Sequence, residues 1–124
     1  MSNYAEWIAR AENDLADIRN NLAAAKFPGD TVTFHAHQAI EKILKAFCLF
    51  NGSDPGKIHD VGKLLHSATA WAPQLASYSA QCGALTAVYL ASRYPVAPPP
   101  SEAVARSYAA VAEEIFRSVR ALMP

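Results

Sequence analysis

Residues 31–50, TVTFHAHQAIEKILKAFCLF, decide the fold. Val32, Ala36, Ala39, Ile40, Ile43, Leu44, Phe47 and Phe50 fall within one broad arc of a helical wheel, so the segment reads as a deeply embedded amphipathic helix. The opposite arc carries Phe34, Gln38, Glu41, Lys45 and Leu49, with Lys42 alongside. Glu41 stands four residues before Lys45, the favourable order for a helical ion pair, and a surface pair of this kind stabilises a helix by roughly 0.3–0.5 kcal/mol. The same stripe is bounded by two large apolar residues, Phe34 and Leu49, a pattern that also suits contact with another subunit or partner, with the polar residues held between them.

Working outward, Pro28 and Gly29 separate this helix from an earlier one, and Asp30 is placed to cap a start near Thr31. The earlier helix opens at Asn3, a good N-cap, with Glu6 three residues on. Tyr4, Ile8, Ala11, Leu15, Ile18 and Leu22 follow in steps of four and three, one stripe of an α-helix. The short connection predicts that these two helices run antiparallel. Downstream, Asn51 and Gly52 stop the second helix, and Ser53, Asp54 and Pro55 supply a cap and a first turn for a short third helix that holds His59, Val61, Leu64, Leu65 and Ala68. Pro73 opens a fourth helix with a stripe of Leu75, Tyr78, Cys82, Leu85 and Tyr89, ending near Leu90. After Arg93, Tyr94 and Pro95 come Val96, Ala97 and three consecutive prolines at 98–100, which cannot continue an α-helix and favour an extended connection. Ser101 caps the last helix, whose expected buried stripe is Val104, Tyr108, Val111, Ile115, Val119 and Leu122, with Arg117 and Arg120 near its end to suit the helix dipole. The expected fold is all-α: an up-and-down bundle of four long helices plus one short helix, residues 1–124 forming a single domain.

Bulk properties narrow the function classes. A chain of 124 residues buries enough apolar surface to fold without disulfide or metal staples. With 52% hydrophobic and 18% charged residues the composition is globular, and the apolar stretches are interrupted by charge well before the roughly 20 residues that span a bilayer. The segment Met1 to Arg10 has no basic head followed by an apolar core, so it does not read as a secretory leader, and a cytoplasmic location is expected. Cys48 and Cys82 lie in apolar helical patterns and read as small buried hydrophobes suited to a reducing compartment. Eleven basic residues balance 11 acidic ones, so no global field draws nucleic acid or anionic lipid and any such contact is local.

The residues around the central helix carry a resemblance. Phe34-His35-Ala36-His37-Gln38-Ala39-Ile40-Glu41-Lys42-Ile43-Leu44-Lys45-Ala46 resembles the central helix of the HEPN domain family. His59 and Asp60 followed by Leu64 and Leu65 resemble the family's short histidine-bearing helix, and Arg93-Tyr94-Pro95 resembles the Arg-Tyr-Pro element that closes its fourth helix. The resemblance implies a dimeric helical domain, often found beside a small nucleotidyltransferase-like protein, with a nucleotide- or RNA-linked role. Many family members are ribonucleases or toxins, some of them halves of toxin–antitoxin pairs, and those use an arginine followed four to six residues later by a histidine. This chain departs from that pattern: its four histidines are His35, His37, His59 and His66, and none follows Arg93. Cleavage of RNA needs a group to deprotonate the 2′-hydroxyl, so the missing histidine argues against an enzyme.

What the resemblance leaves is a set of residues suited to binding: Arg93, Tyr94, Lys42, Lys45, Gln38, Glu41 and His59. An arginine forks onto phosphate and a tyrosine stacks on a base. An Arg-Tyr-Pro turn can equally end a helix, the arginine bonding free carbonyls and the tyrosine filling the bundle end. The expectation is a non-catalytic HEPN-type binding module for nucleotide or RNA, acting as a homodimer and/or with a small nucleotidyltransferase partner; the alternatives are a ribonuclease or toxin with a degenerate site and a plain dimerisation scaffold. No cofactor or metal is expected. His35 and His37 point to nearly opposite sides of a helix, and His59 and His66 lie two turns, roughly 10 Å, apart. No glycine-rich phosphate loop, nucleophile elbow or paired-cysteine motif occurs.

Overall fold

The computed structural model describes residues 3–95 and 98–124, and every regular element among them is helical. Met1 and Ser2, in the segment read above for a secretory leader, and Val96 and Ala97, in the expected extended connection, lie outside the described residues. The helices are α1 (Tyr4–Ala23), α2 (Gly29–Phe50), α3 (Val61–Ala68), a 3-10 helix (Pro73–Tyr78), α4 (Ser79–Ala91) and α5 (Glu102–Arg120).

Local chemistry accounts for most boundaries. The Asn3 side chain accepts the Glu6 N–H at 3.1 Å and Ser101 Oγ accepts the Val104 N–H at 3.1 Å, both as the sequence implies. Asp30 does not cap α2. The helix has already begun at Gly29, after Pro28 in an extended conformation, and Asp30 sits in its first turn, where one carboxylate oxygen accepts the Thr31 N–H at 3.0 Å. The third helix also starts later than expected. Gly52 and Gly56 have φ of +82° and +69°, left-handed conformations that no right-handed helix accommodates. Asp54 is used in that turn, accepting the Gly56 N–H, and Asp60 is the true cap, accepting from Gly62 and Lys63 at 2.9 and 3.2 Å. His59 therefore precedes α3 instead of lying on it. Pro73 opens a 3-10 turn, and the α-helical hydrogen bonding of α4 begins only at Ser79.

Contacts between helices give the topology. Along α2, His35 meets Asp14 and Asp17, Lys42 meets Asp14, Lys45 covers Trp7 and Phe50 packs edge-to-face on Tyr4; the α1 partners descend as α2 ascends, so the pair is antiparallel. Glu102 reaches the Phe27 N–H, Arg106 the Leu22 carbonyl and Glu113 the Arg19 guanidinium, so α5 runs opposite to α1. Tyr78 bonds Glu114 and Ser118, while Val88 and Ala91 share a hollow with Val104, which sets α4 antiparallel to α5. The long helices thus alternate up and down, and α2 touches all of the others.

The α5 stripe is offset from expectation. Ala105, Ala109, Ala112, Ile115 and Val119 are buried, whereas Val104 and Leu122 are exposed and Tyr108 and Val111 are half-buried. Counting large apolar residues overlooked the alanines, which suit a close helix–helix approach; α5 lays this small-residue face against α2 and lets the larger side chains flank it. Phe50, expected inside, is also exposed at the end of α2. Cys48 and Cys82 are buried as free thiols, and burial pushes Cys82 up to about 12, which leaves it a core hydrophobe. No helix among the described residues is long and apolar enough to cross a membrane.

Gly29 ties the start of α2 to the segment entering α5, because a Cβ there would collide with the Pro100 carbonyl. Both partners are backbone, so relief requires one segment to move. Gly29→Ala should destabilise the fold by about 1–3 kcal/mol, lowering Tm by on the order of 5–10 °C in a thermal melt. An unchanged Tm would mean that the two segments part without cost.

Candidate ligand-binding site

The charged middle of the α2 polar arc does not face water. Glu41 is 4% and Lys45 5% exposed, with Lys45 Nζ 3.1 Å from Glu41 Oε2, so the expected surface ion pair is a buried one. Helix α2 is the hub of the bundle, and neighbours cover its polar side as well as its apolar one: the Trp7 ring of α1 lies 5.3 Å from the Lys45 ammonium, and His59 leans in from the segment before α3. Taking two charges from water costs several kcal/mol per ion, which their attraction only partly offsets, so this pair organises the interior more than it stabilises it.

Glu41 links two elements. Its Oε2 receives Lys45 Nζ and also stands 3.2 Å from His59 Nδ1, while the His59 side chain remains 70% exposed. The buried carboxylate therefore holds an accessible imidazole by one nitrogen and leaves the other to the solvent side. Glu41 Oε1 has no hydrogen-bond partner; His37 Nδ1, at 3.9 Å, is too distant to bond it.

Next to this carboxylate, His37 is fully buried and its ring stacks on Tyr89 with centroids 3.9 Å apart and planes 7° from parallel. Both of its ring nitrogens lack partners. Desolvation lowers its pKa from 6.5 to about 4 despite the nearby Glu41 and Asp60 carboxylates, so the ring is neutral at pH 7. Tyr89, in the last turn of α4, also faces Phe34 at 6.0 Å and 25°, and the Arg93 guanidinium stands 5.9 Å from its ring centre.

Two hollows flank this aromatic ridge. One, about 250 Å³, is lined by His59, Asp60, Thr86, Tyr89, Leu90 and Arg93; the other, about 380 Å³, by Asp30, Thr31, Phe34, Tyr89, Ser92 and Arg93. Thr86, whose buried hydroxyl has no partner, also lines the first. Arg93 and Tyr89 belong to both.

A family model of the HEPN domain matches residues 4–122, nearly the whole chain. The chain belongs to the HEPN domain family. No curated protein and no solved structure matched it. Membership makes this HEPN domain a nucleotide- or RNA-related module in general terms, and the helical bundle is the fold that the family name implies.

The residues singled out in the sequence separate into two groups in this HEPN domain. Glu41, Lys45 and His59 form one bonded cluster, and Arg93 shares a hollow with His59. Lys42 does not join them. Its ammonium lies 2.7 Å from Asp14, which also meets His35 at 2.8 Å, in a separate polar cluster between α1 and α2. Gln38 is half-buried on the same helix, and Tyr94 is 66% exposed, so it does not fill the bundle end. Sequence reasoning missed His37, Thr86 and the outward role of Tyr89, which it placed in the α4 core stripe. A fully polar His and Thr on otherwise apolar helix faces were the available signals. Among the described residues, no group of three or more His, Cys, Asp or Glu side chains is placed to hold a metal ion.

The neutral His37 makes folding sensitive to acid. Its pKa is about 4 in the folded chain and 6.5 as the ordinary value, so between these the unfolded chain takes up a proton that the folded chain refuses. The stability tied to the neutral ring is complete above pH 6.5 and declines as pH falls toward 4. Urea titrations should show His37→Phe, which keeps a stacking ring, losing less stability than the parent over that interval, by on the order of 1–3 kcal/mol. Parallel losses in both would exclude His37 as the source.

Proposed function

We propose that this HEPN domain is a non-catalytic binding module for a phosphate-bearing nucleotide or RNA segment, with Arg93 as the phosphate anchor and His59, held by Glu41 and Lys45, as the second contact. One observation carries the reading: Arg93 and the exposed His59 line the same hollow, together with Thr86 and Tyr89. A guanidinium forks onto phosphate oxygens, the His59 ring, when it carries a proton on both nitrogens, donates to another, and Tyr89 offers an aromatic wall. Lys45 is buried against Glu41 and acts by fixing that carboxylate, not by touching ligand. Gln38, Lys42 and Tyr94 are flanking residues in this reading, Tyr94 being open to a longer nucleic acid. The buried thiols fit a reducing, cytoplasmic setting.

The shared hollow also favours a second reading. His59 could supply the proton carrier that the chain lacks after Arg93, giving a ribonuclease with its histidine on another segment. RNA cleavage by the purified chain that disappears in His59→Ala would establish that reading and end the non-catalytic one.

Binding and stability separate the site from a structural helix end. Arg93 is exposed and lies beyond α4, so Arg93→Ala should leave Tm nearly unchanged, within about 0.5 kcal/mol of stability, while weakening ribose 5-phosphate or a nucleoside monophosphate by roughly 1.5–3 kcal/mol in calorimetry. A lowered Tm with unaltered binding would leave Arg-Tyr-Pro as a structural signature.

We further infer that the domain works as a homodimer and/or beside a small nucleotidyltransferase-like protein. HEPN domains often dimerise, and the end of α2 offers Leu49, half-buried, beside the exposed Phe50. Sedimentation at micromolar concentration should give a mass about twice 13.4 kDa. A monomer throughout that range would exclude the homodimer.

A further inference from the structure

We propose that the larger hollow, on the far side of Tyr89 from His59, is a nucleobase subsite, so that the ligand is a nucleotide unit lying across the Tyr89–Arg93 ridge with its phosphate on Arg93 and its base against Phe34. The inference rests on the phosphate reading above and adds the chemistry of the rest of the ligand.

Phe34 is 42% exposed although it stands within two turns of the start of α2, where the bundle covers most other large side chains. Its ring is not adrift. It packs edge-to-face on His35 and faces Tyr89, and Tyr89 is itself pinned by the stack on the fully buried His37. The result is a rigid aromatic platform at the mouth of a hollow of about 380 Å³, within the size range of small-ligand pockets. Aromatic platforms beside a guanidinium suit a nucleobase, whose flat face stacks and whose attached phosphate needs a cation.

The polar lining fits the edge of a base. Asp30 spends one carboxylate oxygen on the Thr31 N–H, and its second oxygen is an acceptor for a ring N–H or exocyclic amino group. Ser92, also on the lining, spends its hydroxyl proton on the Tyr89 carbonyl at 2.9 Å, so its oxygen can still accept. A carboxylate repels phosphate, so the two hollows divide the ligand: Asp30 lines the one for the base. The smaller hollow contains Asp60 as well, one oxygen of which is likewise engaged by backbone N–H groups, those of Gly62 and Lys63, but there His59 stands beside Arg93 to oppose it.

The test is calorimetric titration of the full chain with adenosine 5′-monophosphate and with ribose 5-phosphate, which differ only by the base. The monophosphate should bind about tenfold or more tightly, the range expected for one stacked base. Phe34→Ala should reduce it to the level of ribose 5-phosphate and leave the sugar phosphate unchanged, and Phe34→Trp, which retains an aromatic face, should preserve the difference. Asp30→Ala should weaken the monophosphate several-fold with no loss for ribose 5-phosphate. Equal affinity of the two ligands, or a Phe34→Ala loss shared equally by both, overturns the subsite. So does Phe34→Ala that dissociates a dimer in sedimentation but leaves the monophosphate's affinity intact, an outcome that assigns Phe34 to contact between copies. Ribose 5-phosphate binding that still depends on Arg93 would then leave the phosphate reading standing, whereas nucleotide binding indifferent to Arg93→Ala removes that reading instead.

Discussion

The arrangement of this molecule depends on the burial of the Glu41–Lys45 pair. Helix α2 contacts every other α-helix, so its middle is covered on all sides, and a sequence that places charge at Glu41 and Lys45 must satisfy that charge internally. Lys45 satisfies one carboxylate oxygen from within the helix. The same oxygen then accepts His59 from outside it, which draws the segment before α3 onto the bundle and holds an imidazole at the surface. A buried charge has become a bracket for an exposed group. Replacing the pair by apolar side chains could pack as well, but it would release His59.

The second organising contact is aromatic. His37 and Tyr89 join α2 to α4 by a face-to-face stack, and burial keeps the imidazole neutral, so the contact is made without bringing another charge into the interior. From this fixed ring the site opens in two directions, toward His59 and toward Phe34, with Arg93 between them. Rigid elements thus carry the platform, and Arg93, the proposed anion contact, stands just beyond a helix end.

Much of the fold was legible because its signals are local. Asn3 and Ser101 announce their helices within four residues, and the stripes of α1 and α2 repeat at helical spacing. Where two candidates compete for one role, local reading chose wrongly: Asp54 and Asp60 both look like caps, and the difference lies in the positive φ of Gly56. The offset of α5 has another cause, since alanine is neutral in a pattern of large apolar residues but decisive where two helices approach closely. At the site, Arg93, His59, Glu41 and Lys45 stood out by resemblance to a family. That Glu41 would be buried, that His37 would find Tyr89 more than fifty residues away, and that Lys42 would turn to Asp14 are long-range outcomes with no local signature.

The alanine face of α5 has a consequence for how this chain can change over generations. Ala105, Ala109 and Ala112 present little side chain, yet each is at or near full burial in the seam with the hub of the bundle. Their value lies in the volume they do not occupy. Substitution should therefore be tolerated in inverse order to chemical prominence: the exposed Val104 and Leu122 are free to drift among polar and apolar types, while the plainest residues of the helix admit only glycine or serine as neighbours in size. A lineage that enlarged one of these alanines would need a matching loss of bulk on the facing helix, so change along this seam proceeds by paired exchange.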